Sequence, residues 1–254
     1  MQYNFYPIHA ENASIYIGKG AGSRARKQME NAQRSIKVMS PYLSPELINL
    51  LVQKASQGVE VLLITSDDRS SRFDRTGQGQ VIQQLITQYR FVNEDAKADK
   101  KQQIRTNQLL VGLFIVLIFV ALFIMPNWRS KIGVAVLCLG LTLFFSNKVK
   151  EAKKLPIFYY TYSSKLNFKI IKQDVLFHDF FHLKAYVVDG NIAYLGSLNF
   201  TYAGFKRNIE SCITVKEQAA QAIDTYLTNI FTSTDIPFYS EQEIIHTYFY
   251  EQPY

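Results

Sequence analysis

Apolar positions fall into two rhythms along this chain, one of period about 3.6 and one of period two, and they mark out most of its elements. Residues 24–37 (RARKQMENAQRSIK) have helical spacing with a polar face. KVMS at 37–40 predicts a short strand that runs into a Pro41–Tyr42 turn. The stretch SPELINLLVQKASQG then begins as a helix should, with Ser44 as candidate N-cap, Pro45 as first helical residue and Gly58 as the stop. VEVLLITSD at 59–67 is almost continuously apolar, as a strand buried on both faces is. Strand, helix and strand at this spacing predict a βαβ unit. A polar loop, DRSSRFDRTGQGQ, leads to a predicted helix at 81–91. Further on, strands are predicted at 168–174, 182–190, 191–197 and 208–215, the middle two as a hairpin around Asp189–Gly190. A helix with an apolar stripe follows at 217–231, then an aromatic-rich tail that either covers a sheet edge or meets a partner.

Two runs break both rhythms. LLVGLFIVLIFVALFIM (109–125) has 17 residues without a charge, and IGVAVLCLGLTLFF (132–145) follows after PNWRSK. The first reaches spanning length with its flanks, and the second is short. Together they predict a transmembrane hairpin, entered through a helical extension at NEDAKADKKQQIR. Lys97, Lys100, Lys101 and Arg105 precede it, and Lys148, Lys150, Lys153 and Lys154 follow it, against Arg129 and Lys131 in the turn. The positive-inside tendency puts both outer flanks in the cytoplasm, so the expected location is the inner (cytoplasmic) membrane, multi-pass, with the soluble domain on the cytoplasmic side. Trp128 fits an interfacial anchor. The expected fold is α/β: a mixed β-sheet sandwiched by helices, with this two-helix hairpin inserted. The expected divisions are 1–106 and 149–231 for the two parts of the soluble domain, 107–148 for the hairpin and 232–254 for the tail.

Composition adds three points. The net charge of +7 over 254 residues favours a polyanion, which nucleic acid and anionic lipid both satisfy. The 18 Phe and 16 Tyr supply a sizeable core. Cys138 and Cys212 form neither a disulfide framework nor a metal-binding pair, which suggests a reducing compartment. The N-terminal stretch lacks the basic start and apolar centre of a signal peptide.

The chemistry concentrates in HLKAYVVDGNIAYLGSLN at 182–199. Residues two apart on a strand share a face, so His182 and Lys184 point the same way. Gly196 permits close approach of backbone to substrate, and Ser197 and Asn199 supply polar groups beside it. A nucleophile, a cation and a small polar rim make a phosphate site. His182–Lys184, then Asp189 after four intervening residues, then Gly196–Ser197–Asn199 after six more, is similar to the signature of the phospholipase D superfamily. MSPYLSPELINLLVQKASQGVEVLLITSD (39–67) also resembles the opening of such a domain, and the likeness spans roughly 23–68 and 155–230. Glu210 matches the acidic residue that follows the motif in that family.

The resemblance implies a catalytic set of His182, Lys184, Asp189, Ser197, Asn199 and Glu210. His182 would attack phosphorus and form a phosphohistidine, which splits a hard displacement into two easier steps. Lys184 and Asn199 would hold the non-bridging oxygens, and Ser197 would hydrogen-bond within the pocket. Glu210, or more remotely Asp189, would orient the imidazole. Asp189 lies at a turn before Gly190, where a structural role is an equal reading, and for Glu210 a local salt bridge is the lesser alternative. His178 stands four residues before the nucleophile, where loop or core packing is the leading reading and lining of the cleft the alternative. The resemblance implies no cofactor and no metal. His9, His178 and His246 have no lysine two residues on, so the chain has one motif where a complete site in this family takes two. The implied partner is a second copy of the chain, giving a homodimer whose two His182 share one cleft.

The leading expectation for the substrate is membrane phospholipid, by headgroup hydrolysis or phosphatidyl transfer. Phe180, Phe181, Phe200, Tyr202 and Phe205 flank the motif as candidate lipid contacts. The alternative is nucleic acid, cleaved by a membrane-tethered endonuclease, with Arg69, Arg72, Arg75, Lys206 and Arg207 as backbone contacts. The family's cardiolipin synthases typically have two motifs and N-terminal anchors, which are not seen here.

Overall fold

A computed structural model describes residues 13–67, 77–172 and 181–252. Its elements divide into two compact units, 1–87 with 162–249 and 88–161 with 250–254.

The first unit is built on a mixed sheet. β1 (Ser14–Lys19), β2 (Ser35–Met39), β3 (Glu60–Asp67), β6 (Asn167–Lys172), β7 (Ala185–Val188), β8 (Ile192–Gly196) and β9 (Ile209–Lys216) lie in the order β1-β9-β8-β7-β2-β3-β6. The β2–β3 and β3–β6 pairs are parallel, and the other pairs are antiparallel. The chain leaves this sheet at β3 and returns at its neighbour, with Ser66 opposite Ile171, so the long insertion interrupts the sequence and not the sheet.

Alternation decides which core each residue joins. Ile36, Val38, Leu63, Tyr186 and Tyr194 face α1 (Ser23–Glu30), α2 (Pro45–Ser56) and α3 (Gly77–Leu85), burying Met29, Leu47, Leu51, Ile82 and their neighbours. Met39, Ile64, Val187, Ala193 and Val215 face α6 (Glu217–Thr232), whose stripe of Ala219, Ala220, Ile223, Leu227 and Ile230 covers them. The sheet is thus sandwiched by helices, as expected. Lys37 points into the α6 side, where its Nζ donates to Asp224 Oδ2 at 2.6 Å and Thr228 Oγ1 at 2.7 Å.

The tail settles on the β6 edge. Phe238 bridges Ile171, Tyr239 N donates to Ile170 O at 2.9 Å, and the Tyr239 hydroxyl donates to Asp67 Oδ2 at 2.6 Å. α7 (Glu241–Tyr248) begins with a capping box between Ser240 and Glu243. The described part of the aromatic tail thus covers a sheet edge, the first of its two expected roles.

The second unit holds most of a ribbon, β4 (Ile86–Val92) with β5 (Phe158–Ser164), and two long helices, α4 (Glu94–Ile124) and α5 (Trp128–Lys153). Asn93 caps α4 by accepting from Ala96 N at 3.0 Å, and Asn93 N donates to Ile157 O at 2.8 Å, tying the helix pair to the ribbon. Both helices are long and apolar enough to cross a membrane by length and composition. Phe114 stacks on Phe145 between them. Ala121 and Cys138 are buried, while Leu113, Val116, Phe119, Phe123, Leu137 and Leu143 are exposed.

Three expectations change. The predicted helix at 81–91 is a helix only to Leu85; ITQYRFV is β-branched and aromatic, and pairs as β4. The first helix ends at Glu30, because Ile36 is needed in β2. β1 and β5 were not expected from the sequence.

Candidate active site

The motif gathers at one end of the sheet, beyond the C-terminal ends of β2, β3 and β8 and the N-terminal ends of β7 and β9. In α/β folds the carboxyl ends of parallel strands are where ligands usually sit. His182 and Lys184 lie in the extended segment just before β7 and face each other, as the two-residue spacing predicts. Lys184 Nζ is 2.6 Å from Nδ1 and 2.7 Å from Nε2 of His182, and donates to His182 O at 3.0 Å. Lys184 is 5% exposed while the imidazole stands exposed. Burial and then the Lys184 charge lower the His182 pKa below 6.5. Burial also lowers Lys184, against the opposing pull of Glu210. The imidazole is therefore held mostly neutral at neutral pH, the form a nucleophile needs.

Ser197 and Glu210 meet where β8 ends and β9 begins. The Ser197 hydroxyl donates to Glu210 Oε2 and accepts from Ser211 N at 3.0 Å, while Asn208 Nδ2 donates to Glu210 Oε1 at 3.0 Å. Gly196 allows this meeting: a Cβ there would lie 2.0 Å from the Ser211 carbonyl oxygen. Its small size thus serves the approach of two strands. The Asn199 side-chain oxygen is buried without a hydrogen-bond partner, an arrangement that suits a residue awaiting a ligand. A Cβ on Gly204 would lie 2.5 Å from the Asn199 carbonyl oxygen, so this glycine lets the π-helical turn Ala203–Arg207 close under the loop.

Asp189 is not with this group. It sits at the other end of β7, at φ 54°, and its carboxylate accepts from Arg34 N at 2.7 Å, Ser35 N at 3.0 Å and Gln33 N at 3.2 Å. Burial works to raise this carboxyl, but those amides and the Arg34 charge outweigh it and lower the pKa. Asp189 pins the entry to β2.

Sequence reasoning missed Ser40 and gave Ser44 only the role of an N-cap. Ser40 Oγ accepts from Phe200 N at 2.9 Å and donates to Tyr42 O at 2.9 Å. Ser44 occupies the expected N-cap position of α2 but makes no side-chain cap; its Oγ accepts from Tyr202 N at 3.0 Å, and Ser44 N donates to Phe200 O at 3.0 Å. The loop after β2 thereby holds the loop that carries Asn199. Their only signal was the SPYLS turn itself. Phe200 and Phe205 prove to be core, packed with Tyr186 at ring separations of 5.5–5.6 Å, and so are not lipid contacts. Tyr202 is exposed beneath Arg207, and Phe181 is half-buried. His178, Phe180, Arg69, Arg72 and Arg75 lie outside the described residues. No cluster of metal-ligating side chains occurs among the described residues.

The family model described as "cardiolipin synthase, PLD-like domain" matches residues 25–232. No curated protein matches the chain. Among solved structures, Nuc, a phospholipase D family member from Salmonella typhimurium, is 14% identical, with 91% of this chain and 100% of that one covered and a TM-score of 0.40. NucT from Helicobacter pylori is 12% identical, with coverages of 90% and 99% and a TM-score of 0.43. Phosphatidylserine synthase from Haemophilus influenzae Rd KW20 is 13% identical over 89% of this chain and 39% of that one, with a TM-score of 0.42. The match of the family model over most of the chain, on a fold that gathers five of the six motif residues at one sheet end, shows that this chain belongs to the phospholipase D-like (PLD-like) domain family of phosphodiesterases.

Proposed function

We propose that the protein is a phosphodiesterase acting through a phosphohistidine on His182, most directly on membrane phospholipid. The observation that supports this best is the buried Lys184 ammonium 2.6 Å from an exposed His182 imidazole of lowered pKa. A ring nitrogen of His182 attacks phosphorus, and the bond to the leaving oxygen breaks. Lys184 and Asn199 hold the non-bridging oxygens as charge builds there. The leaving oxygen takes a proton from the partner subunit's His182, because one motif supplies one histidine. Water, giving its proton to that second imidazole, then releases the phosphate ester and restores His182. Glu210 and Ser197 act as one hydrogen-bonded unit that fixes the end of β9 and the field around Lys184. Asp189 is a positioning residue for β2.

The lipid reading draws on α4 and α5, whose exposed apolar faces suit a bilayer, with the basic flanks directing both helix ends to the cytoplasm. A second reading, nucleic acid, is favoured by the polar part of α4. From Glu94 to Gln108 the helix continues for about 22 Å at 1.5 Å per residue before its apolar stretch begins. The ribbon at its base therefore stands off the lipid, and exposed Lys206 and Arg207 suit a polyanion. The test is the full-length protein in detergent beside His182→Ala, assayed on mixed phospholipid vesicles and on single- and double-stranded nucleic acid. Headgroup release or phosphatidyl transfer lost in the variant supports the lipid reading. Nucleic-acid cleavage with lipid untouched, again lost in the variant, installs the second. Activity surviving in His182→Ala removes the nucleophile.

A further inference from the structure

Away from the motif, the α1 face of the sheet holds a cavity of 240 Å³ between α1 and strands β1, β8 and β9. Register builds its floor. Thr214 lies directly opposite Tyr194 on one side and Ser14 on the other, so these side chains project to the same face. α1 adds Arg24 and Lys27, three residues apart and therefore neighbours on the helix surface. Lys216 closes the cavity from the end of β9. The described lining thus carries three cations and no carboxylate. Among the described residues none of the three forms an ion pair. Arg24 instead hydrogen-bonds the Tyr16 hydroxyl and lies over that ring, 4.2 Å from its centroid.

The fold alone does not call for this cluster. Lys27, in the last turn of α1, suits the helix dipole, but Lys216 stands at the N-terminus of α6, the end that disfavours a cation. The floor is unsatisfied as well. Thr214 is 8% exposed, and its Oγ1 is buried without a hydrogen-bond partner. Buried hydroxyls are normally paired, so an unpaired one on a cavity wall marks a place for a ligand atom. Beside it Tyr194 is buried, and that burial pushes its pKa up to about 12, so its hydroxyl stays protonated and able to donate. Guanidinium, ammonium and hydroxyl groups converging on one space are what a phosphate takes. The volume lies below the ~300 Å³ at which sites for drug-sized ligands begin, so it suits a small phosphate ester and not a polymer.

We propose that Arg24, Lys27, Lys216 and Thr214 form a second anion site, separate from the His182 cleft, that takes the phosphate group of a small phosphomonoester. The test is calorimetric titration of the full-length protein, in detergent and phosphate-free buffer, with glycerol 3-phosphate and with glycerol. Saturable binding of the phosphate ester, with none of glycerol, is expected, and one ester per chain should remain in Lys184→Gln, which removes the cation of the cleft. Lys27→Ala with Lys216→Ala, both at exposed positions, should weaken that binding at least 10-fold, and so should Thr214→Val, which keeps the side-chain shape and removes the hydroxyl. No saturable binding overturns the proposal. So does binding that vanishes in Lys184→Gln and persists in the other two variants, because the ester would then sit in the cleft. Should a variant misfold, the unaltered protein decides. Glycerol 3-phosphate is expected to shield Lys27 and Lys216 from an amine-reactive reagent, read by peptide mass spectrometry, while exposed Lys206 reacts as before. Equal labelling of Lys27 and Lys216 with and without the ester overturns the site.

Discussion

Burial, and then the Lys184 charge, lower the pKa of His182, so the acid limb of the pH–rate profile should lie below the ordinary imidazole value of 6.5. Activity is lost as the pH falls through the lowered pKa, because protonation removes the attacking lone pair, and it falls again on the basic side as the partner subunit's His182 loses the proton it gives to the leaving oxygen. Lys184→Gln should lower kcat by about 100-fold, as loss of one transition-state charge contact does, and move the acid limb toward higher pH. A profile whose limb stays in place would mean that Lys184 does not bear on His182. Asp189 behaves differently. Its folded pKa is depressed, so its contribution to stability is full above the unfolded value of 3.8 and is lost as pH falls through the folded value. Asp189→Asn keeps a side chain that tolerates positive φ but removes the charge. It should cost about 1.5 kcal/mol in urea melts at pH 7, with a loss that shrinks as the pH is taken below 3.8 and through the folded pKa, and leave substantial activity. His182 and Lys184 were legible because residues two apart in an extended segment share a side, whatever the fold around them. Ser40 and Ser44 were not, since their partners Phe200 and Tyr202 lie about 160 residues away in sequence.

At the scale of elements, the sheet depends on a few contacts that a sequence does not announce. Gly196→Ala would drive a Cβ into the Ser211 carbonyl oxygen and force β8 from β9; a loss near the upper end of ~1–3 kcal/mol is expected in thermal or urea unfolding, together with low activity. Lys37→Met leaves Asp224 facing a buried strand without its cation, and the same measurement should show a loss of roughly 2 kcal/mol with the cleft intact. The central strands were readable as unbroken apolar runs, and α2 and α6 by their stripes. The error at 81–91 arose because VIQQL and ITQYRFV both hold enough apolar residues for a helix. β4 exists because β5 offers it a ladder after a long insertion, a partner no local pattern reveals. β1 escaped notice because its outward positions are isoleucines, which removes the apolar–polar alternation that identifies a half-buried strand.

For the molecule as a whole, the two apolar helices and the sheet are one argument. α4 and α5 interrupt the sequence between β3 and β6, yet those strands are neighbours, so an anchor can be inserted without breaking the fold. The predicted orientation has a direct check. Ser130→Cys, between the helices, should react with an impermeant maleimide added outside intact cells, and Lys154→Cys should react only after the membrane is opened. The reverse pattern would put the PLD-like domain on the far side. The central claim is the covalent step. Full-length protein, mixed with phosphorus-labelled phospholipid or nucleic acid and quenched within the first turnovers, should carry label on the His182 imidazole. The adduct should be stable to base, labile to acid, located by peptide mass spectrometry and missing from His182→Ala. Turnover without any such adduct, or label on another residue, would contradict the account.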